Sequence, residues 1–244
     1  MRKTLIVVAA ILAFAASASA GPILAGTVNG VLFCAVDNNI GGCTGMQLPD
    51  LDPTAGSLQL GDTTIGGVTV LSSSHTQVIG GDQNVLNSQS LQIINNNDFA
   101  ITAQVAIGGI NYTGPIEEIE LSGSGTWQNA GGSTMSMIWC ASAANVQGGE
   151  TPSDCPTATL FTFNDVAGSG VDSFSTGSIL IPFLAAGPYS MTTGFTMNLI
   201  AGGQLISRGQ TMISDVTAVP EPATMLLLGT GLLTAFRARR KLVR

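Results

Sequence analysis

The sequence predicts an all-β fold, an antiparallel β-sandwich of jelly-roll type, with a signal helix before it and a short transmembrane helix after it. Three observations predict the sandwich. Apolar and polar residues alternate in several stretches, clusters of glycine, asparagine and aspartate separate these stretches, and the body shows no apolar residues at helical spacing. We expect about ten to twelve short strands joined by turns. The predicted units are a signal peptide at 1–20, the sandwich at 21–218 and a tail at 219–244.

The N-terminal segment has the three parts of a secretory signal peptide. A basic pair, Arg2 and Lys3, precedes an apolar run from Leu5 to Ala16, and the small residues Ala18-Ser19-Ala20 follow. The run is shorter than the roughly 20 residues that a permanent membrane helix needs. The segment therefore predicts export by the general secretion machinery and removal by signal peptidase, with a retained N-terminal anchor as the alternative.

The body shows its clearest strand where Phe99, Ile101, Ala103, Val105 and Ile107 lie on one face and the intervening residues on the other. A looser alternation recurs around Trp139 and at the far end of the body. The further candidate stretches and the two looser ones are 27–36, 63–71, 76–80, 90–94, 116–128, 135–140, 157–163, 177–183, 195–200 and 204–215.

The charge is distributed unevenly along the chain. Residues 21–219 carry fourteen acidic side chains against one arginine, a formal charge of −13, although the whole chain has −7. Such a body repels nucleic acid phosphates, and we therefore expect no nucleic-acid partner. Its many neutral polar residues suit an extracellular protein and contact with sugars.

The four cysteines predict disulfides, because an even number in an exported protein is typical of cross-linked loops. Three pairings are open, and we favour the local one, Cys34 with Cys43 and Cys140 with Cys155. Zinc is the competing interpretation, but there is no Cys-x-x-Cys and the only histidine has no ligand-like neighbour.

Catalytic candidates are few. His75 follows three serines, yet adjacent strand residues point to opposite faces, and we expect an exposed loop or strand-edge histidine. Glu117, Glu118 and Glu120 could suggest a glycosidase pair, but their alternation with Ile119 and Leu121 is typical of a solvated sheet face. We expect no enzymatic activity and no catalytic residue.

Two kinds of ligand site are candidates. Calcium could bind oxygen ligands in loops, although none of the candidates has EF-hand spacing and we assign no metal site. These candidates are Asp37, Asn38, Asn39, Asp50, Asp52 and Asp82. Sugar rings need aromatic platforms. Trp139 alternates with methionines and predicts a core position, whereas Tyr112 and Trp127 are the better candidates for glycan contact. For these two residues as well, packing in the core or in a turn is the favoured alternative.

The C-terminal segment combines a proline-rich motif, an apolar span and a basic cluster. Val219-Pro220-Glu221-Pro222 precedes an apolar run from Ala223 to Phe236. As a helix this run would span about 21 Å, short of the roughly 30 Å hydrocarbon core, and we expect transient membrane anchoring. The basic residues that would keep the end cytoplasmic are Arg237, Arg239, Arg240 and Lys241.

Motif, span and basic end together resemble the PEP-CTERM sorting signal of exopolysaccharide-producing Gram-negative bacteria. The resemblance covers residues 219–241 only. It implies processing near Pro220–Pro222 by an exosortase, a membrane transpeptidase-like enzyme that would release or transfer the body. An ordinary single-span tail anchor is the alternative.

These observations predict an exported, non-enzymatic protein, held at the inner membrane until it is processed and then placed at the cell surface or in an exopolysaccharide matrix, such as that of a biofilm. Exopolysaccharide is a candidate partner. The alternatives are a secreted carbohydrate-binding module and a secreted hydrolase that would use Glu118, Glu120 or His75.

Overall fold

The computed structural model describes residues 21–40, 43–71, 73–149, 155 and 159–216. The predicted signal helix and the predicted tail with its transmembrane helix lie outside the described residues. Over the described ranges the chain forms fifteen β-strands and one short 3-10 helix at Asp37–Asn39. The strands are β1 Ile23–Val28, β2 Val31–Val36, β3 Met46–Gln47, β4 Ser57–Leu60, β5 Thr63–Ile65, β6 Val68–Leu71, β7 Ser73–Val78, β8 Gln83–Asn95, β9 Ile101–Tyr112, β10 Ile116–Gln128, β11 Thr134–Ser142, β12 Thr159–Val166, β13 Val171–Ala185, β14 Tyr189–Leu199 and β15 Gln204–Asp215.

The strands form two sheets, and the predicted all-β, antiparallel architecture is confirmed. The first sheet has the strand order β12-β11-β14-β9-β1-β2-β3, in which only the short β2–β3 pair is parallel. The second has the order β13-β10-β15-β8-β6-β5. The long strand β8 also pairs with β7, which in turn pairs with β4. The jelly-roll connectivity stays a prediction.

One hydrophobic core lies between the inner faces of the two sheets. The first sheet contributes Ile107, Phe195 and Trp139, and the second contributes Leu121 and Trp127. Phe33 lies directly across Gly26 on the neighbouring strand, where a side chain would overlap the ring. Glycine is therefore required at this point of the inner face, because the aromatic ring fills the space above it.

Two stretches predicted as single strands are tight hairpins. Asn29 and Gly30 have φ values of 48° and 80°, and they separate β1 from β2. Gly66 and Gly67, with φ values of 57° and 78°, separate β5 from β6 in the same way. A two-residue hairpin turn needs residues that accept positive φ, and Asn-Gly and Gly-Gly supply them. The turn chemistry of these residues, and not their hydropathy, marks where each strand ends.

Both predicted disulfides are present, with Cα–Cα distances of 6.1 Å for Cys34–Cys43 and 5.8 Å for Cys140–Cys155. Cys34 and Cys140 are fully buried, yet they lie outside the main core cluster. They lie on the outer face of the first sheet, since their cross-strand neighbours there are Ala25 and Thr192. The disulfides therefore attach neighbouring loop residues to the face that points away from the core.

The segment after β11 covers part of this outer face. The Asn145 side chain accepts a hydrogen bond from the backbone N–H of Asn111 and donates one back to the Asn111 side chain, both at 2.8 Å. The Gln147 side chain donates to the carbonyl of Gly108. The backbone of Gly148 lies so close to Gly108 that a side chain at Gly108 would overlap it. The first sheet is therefore buried on both faces around Gly108.

Candidate functional site

His75 lies in the core and not in an exposed loop or strand edge, which corrects the sequence-based expectation. It is 1% exposed on β7, and its two ring nitrogens lie 3.0 Å from the hydroxyl oxygens of Ser88 and Ser73. These serines are themselves buried. A solvent-borne substrate does not reach this ring in the folded domain, and the Ser–His contacts are those of a buried polar cluster.

The aromatic candidates for glycan contact are both fully buried, which excludes the surface position that glycan contact requires and agrees with the favoured core packing. Trp127 packs 6.0 Å from the Phe174 ring, and its indole N–H donates to a carboxylate oxygen of Asp165 at 2.7 Å. Tyr112 lies 5.6 Å from the ring of Tyr189. Sugar stacking needs an exposed ring face, and neither residue offers one. Trp139 is also fully buried, as predicted.

The pKa values of the paired tyrosines reflect this burial. Burial raises the pKa of Tyr112 well above 10.0, and the neighbouring Tyr189 adds to the effect. Burial also raises the pKa of Tyr189, while hydrogen bonds with Ser214 and Asn84 partly oppose the rise. Both phenols are therefore neutral at physiological pH and act as core side chains with one polar atom each.

A signal for the position of Trp127 was present in the sequence. Residues 119, 121, 123, 125 and 127 have the same parity on β10, and all five are buried. Two of them are glycines, so the apolar alternation that begins with Ile119 and Leu121 is interrupted before it reaches Trp127. Continuing the period of two across the glycines places Trp127 on the inner face.

Glu118 and Glu120 lie on the outer face of the second sheet, with Ile119 and Leu121 on the inner face, as the alternation predicts. Glu117 and Glu118 are exposed. Glu120 is half-buried, and its carboxylate accepts a hydrogen bond from the Ser178 hydroxyl at 2.5 Å. The carboxylates therefore belong to a solvated sheet face, where Glu120 is joined to the neighbouring strand β13.

The calcium candidates around Asp37 and those around Asp50 meet in space, beside the 3-10 helix. Both oxygens of Asp50 accept backbone N–H groups: Asn38 donates to one, and Asp52 and Gln59 donate to the other, at 2.8–3.0 Å. Asp37 accepts the backbone N–H of Gly56 at 2.7 Å. These carboxylates organise the turns around them. Across the described ranges, no three His, Cys, Asp or Glu residues are grouped to hold a metal ion.

Burial raises the pKa of Asp37 above its ordinary value of 3.8. The hydrogen bond from Gly56 opposes this rise, and the nearby charges of Asp50 and Asp52 add to it. Asp82, the last of the calcium candidates, lies apart in the turn between β7 and β8, where its carbonyl accepts the backbone N–H of Val216.

A shallow depression of about 350 Å³ lies on the outer face of the second sheet. Breaks in strand register occur on both sides of Ser124 and between Arg208 and Gln210. Such irregularities bend strands and locally open a sheet surface. The lining residues whose side chains the structure describes offer neutral hydroxyl and amide groups: Gln89, Ser122, Gly123, Ser124, Ser175, Gly177, Gly209 and Thr211. Sequence reasoning did not identify these residues as a group, because they come from four strands.

The end of the second sheet at which the described chain finishes is here named the exit end. One cross-strand row there comprises Leu180, Glu120, Ile213, Val85 and Val78, in that order from β13 to β7. Val216, the last described residue, is fixed to the β7–β8 turn by its hydrogen bond to Asp82. The exit end is defined as residues 78–83, 117–118, 180–184 and 215–216.

The exit end combines exposed apolar side chains with carboxylates. Leu184 is 77% exposed, Leu180 59% and Val78 50%. The neighbouring acidic residues are Asp82, Glu117, Glu118 and Asp215. The body has a single arginine, Arg208, which lies seven residues before Asp215 on β15. Apolar and negative surface therefore meet where the chain leaves the domain.

The sequence that follows the exit end matches the family model of the PEP-CTERM protein-sorting motif over residues 218–241. The match begins two residues after Val216 and contains all four residues of the predicted motif. The motif implies an exported protein. In the part of the chain that the structure describes, no helix is long and apolar enough to span a membrane.

Comparison with solved structures gives weak similarities to β-proteins. TmCBM61 in complex with β-1,4-galactotriose is 7% identical, with 55% of this chain and 82% of that chain covered and a TM-score of 0.31. Murine APRIL at pH 5.0 is 13% identical, with 65% and 95% covered and a TM-score of 0.30. The C-terminal CBM6 of LamC from Zobellia galactanivorans is 13% identical, with 60% and 93% covered and a TM-score of 0.25. A search of the curated proteins finds no match.

Proposed function

We propose that this chain is an exported, non-enzymatic protein of the cell surface or of an exopolysaccharide matrix, processed at its C-terminal motif by an exosortase-type enzyme. The match of residues 218–241 to the PEP-CTERM protein-sorting motif carries the proposal. Signal peptidase and the general secretion machinery act first, at the N-terminal segment. The tail then holds the protein at the inner membrane until the motif is cut.

The described domain supports this proposal in two ways. Its two disulfides suit an oxidising compartment outside the cytoplasm, where such cross-links form and persist. Its surface chemistry suits a structural or binding role, because His75 is buried and the exposed carboxylates lie on an ordinary sheet face. We therefore propose a body that acts by contact and not by turnover.

Processing of the tail gives the direct test. The full chain with Glu221→Ala and Pro222→Ala is compared with wild type and with a Thr224→Ala control by immunoblotting of cell fractions. We expect wild type and the control to give a shortened, released or surface-attached form, and the double variant to accumulate as the longer form in the membrane fraction. Equal processing of the double variant and wild type would contradict the proposal.

A carbohydrate-binding module is the second candidate, and the depression on the second sheet favours it. Its neutral hydroxyl and amide groups, including Gln89, Ser124 and Thr211, can exchange hydrogen bonds with sugar hydroxyls without charge. The test is a glycan array probed with the disulfide-bonded protein. Binding that is lost in Gln89→Ala and Ser124→Ala, but kept in Thr64→Ala elsewhere on the same sheet, supports this candidate. Retention of binding in all variants would place any sugar site elsewhere.

A further inference from the structure

The short distance between the folded domain and the sorting motif restricts where the processing enzyme can lie. Val216 is hydrogen-bonded to the β7–β8 turn, and Pro220 follows four residues later. Four residues reach at most about 14 Å when fully extended. A compact domain of about 200 residues has a radius of gyration of about 16 Å. An enzyme that encloses the motif in its active site therefore touches the exit end of the substrate domain.

On strand β13 the exposed apolar residues are concentrated at the exit end. Its exposed positions between 172 and 179 are serines and a glycine, whereas Leu180, Pro182 and Leu184 occupy the exit end. Val171, at the opposite end, is the one other exposed apolar residue of this strand. Pro182 lacks a backbone N–H, and proline on an edge strand discourages pairing with another strand. The exposed leucines are therefore available for contact with the side chains of a partner, and not for strand pairing.

The charges at the exit end favour a protein partner over a lipid surface. Four carboxylates accompany the leucines, and the described chain has no lysine. Anionic lipid headgroups repel such a surface. A protein with basic groups around an apolar contact complements it, because opposite charges steer association and fix orientation.

We infer that the exit end is a docking surface for the membrane-embedded processing enzyme, which contacts Leu180 and Leu184 and pairs basic groups with Glu117, Glu118 and Asp82. This inference rests on the proposed function and deepens it. The enzyme contacts the folded domain next to the motif as well as the motif itself. The substrate domain thereby contributes to the rate at which its own tail is cut.

The first test removes apolar contact at the exit end. Processing of the full chain is followed by pulse-chase labelling in cells that contain the enzyme, for wild type, Leu184→Ser and the matched control Val171→Ser. Val171 is 69% exposed on the same edge strand, at the opposite end. We expect Leu184→Ser to slow processing about threefold to tenfold, as for loss of a partly buried leucine contact, and Val171→Ser to process as wild type.

The second test separates an enzyme from a lipid surface by charge. Glu118→Lys at the exit end is compared with Asp98→Lys in the β8–β9 turn at the far end of the sheet. We expect Glu118→Lys to slow processing a few-fold, because the introduced lysine repels a basic partner. Faster processing of Glu118→Lys would show that the exit end rests on anionic lipid, and would overturn the inference.

A linker insertion makes the result specific to docking. Fifteen Gly/Ser residues placed after Val216 let the enzyme reach the motif without touching the domain. We expect this chain to process at the slow rate of Leu184→Ser, and Leu184→Ser to cause no further loss in that background. Equal rates for Leu184→Ser and Val171→Ser in the short-linked chain would overturn the inference.

Failure of the proposed function gives a different result. A Glu221→Ala, Pro222→Ala chain that is still cut at the wild-type rate shows that the motif is not read, whatever the exit-end variants do. Both leucine and valine positions are well exposed, so neither serine variant is expected to unfold, and equal thermal midpoints of the variants verify this.

Discussion

The outer faces of the two sheets differ in what lies above them. Around Gly108 the outer face of the first sheet is covered by the segment at 145–149, and its outward residues are small and buried, as at Ala106 and Gly194. The outer face of the second sheet is open, and Ser122 and Ser124 belong to a polar depression there. Both disulfides of the described residues lie on the outer face of the first sheet.

Because of this difference, the strands of the two sheets have different patterns of apolar and polar residues. On β10 the inner residues are apolar and the outer ones polar, since one face is solvated. On β14 the first seven residues are all buried, and they include serine, threonine and glycine. A strand covered on both faces loses the alternation, and small residues take its place because they allow the covering backbone to approach.

We expect the largest difference in stability between a substitution at a buried outer-face position and one at an open outer-face position. Ala106→Glu places a carboxylate in a fully buried position, and we expect a loss of about 4 kcal/mol or more in the free energy of unfolding. Ser124→Glu, on the open face, should change it by no more than about 0.5 kcal/mol. Urea denaturation at neutral pH measures both. Similar losses in the two variants would show that the first sheet is not covered in solution.

The next effect concerns what holds the cover in place. Replacing Cys140 and Cys155 by serine should cost about 3 kcal/mol of stability, as expected for release of a loop of about 15 residues. Limited proteolysis should then cut within 143–149 before the rest of the domain, because the covering segment opens first. A chain with Cys34 and Cys43 replaced serves as control. Equal protection of 143–149 in both variants would show that the nearby bridge does not retain the cover.

A smaller difference in stability is expected between substitutions of two buried tryptophans, one from each sheet. Trp127 of the second sheet donates a hydrogen bond to Asp165 of the first, whereas the Trp139 indole N–H has no hydrogen-bond partner among the described residues. Trp127→Phe should therefore cost about 1–2 kcal/mol more stability than Trp139→Phe, because it leaves the Asp165 carboxylate without this donor. Equal costs, measured by denaturation, would mean that the hydrogen bond adds nothing to the contact between the sheets.

The sequence predicts the long strands better than the two-residue turns between short ones, for physical reasons. The bounds of β10 and β15 agree with the predicted 116–128 and 204–215. Paired glycines at 131–132 and 202–203 mark the end of the first strand and the start of the second. The hairpin turns within 27–36 and 63–71 were missed, since the apolar residues on both sides conceal two-residue turns. The local disulfides were predicted because short loops favour local pairing.

Candidate sites were harder to predict than strands. For Tyr112 and Trp127 both a surface and a core position stayed open, because glycine, threonine and asparagine neighbours suggested exposure, whereas cross-strand packing decides burial. The burial of His75 was missed because its partners, Ser73 and Ser88, surround it only once β7 pairs with β8. The exit end and the polar depression each collect residues from several strands, and a linear sequence does not show such groups.

The smallest expected effect is a pH dependence from the carboxylate beside the covered sheet. Because the pKa of Asp37 is raised in the folded protein, the folded state binds this proton more tightly than the unfolded state does. The resulting stabilisation is fully present below the unfolded value, near 3.8, and is lost as the pH rises through the folded value. The free energy of unfolding of wild type minus that of Asp37→Asn should therefore decrease as the pH rises from about 3.5 to 6.5. The other carboxylates titrate in both proteins and cancel in this difference. A difference that stays constant, or that increases with pH, would show that Asp37 is not buried against Gly21 and Gly56 as the fold requires, and that this side of the first sheet is as open as the second.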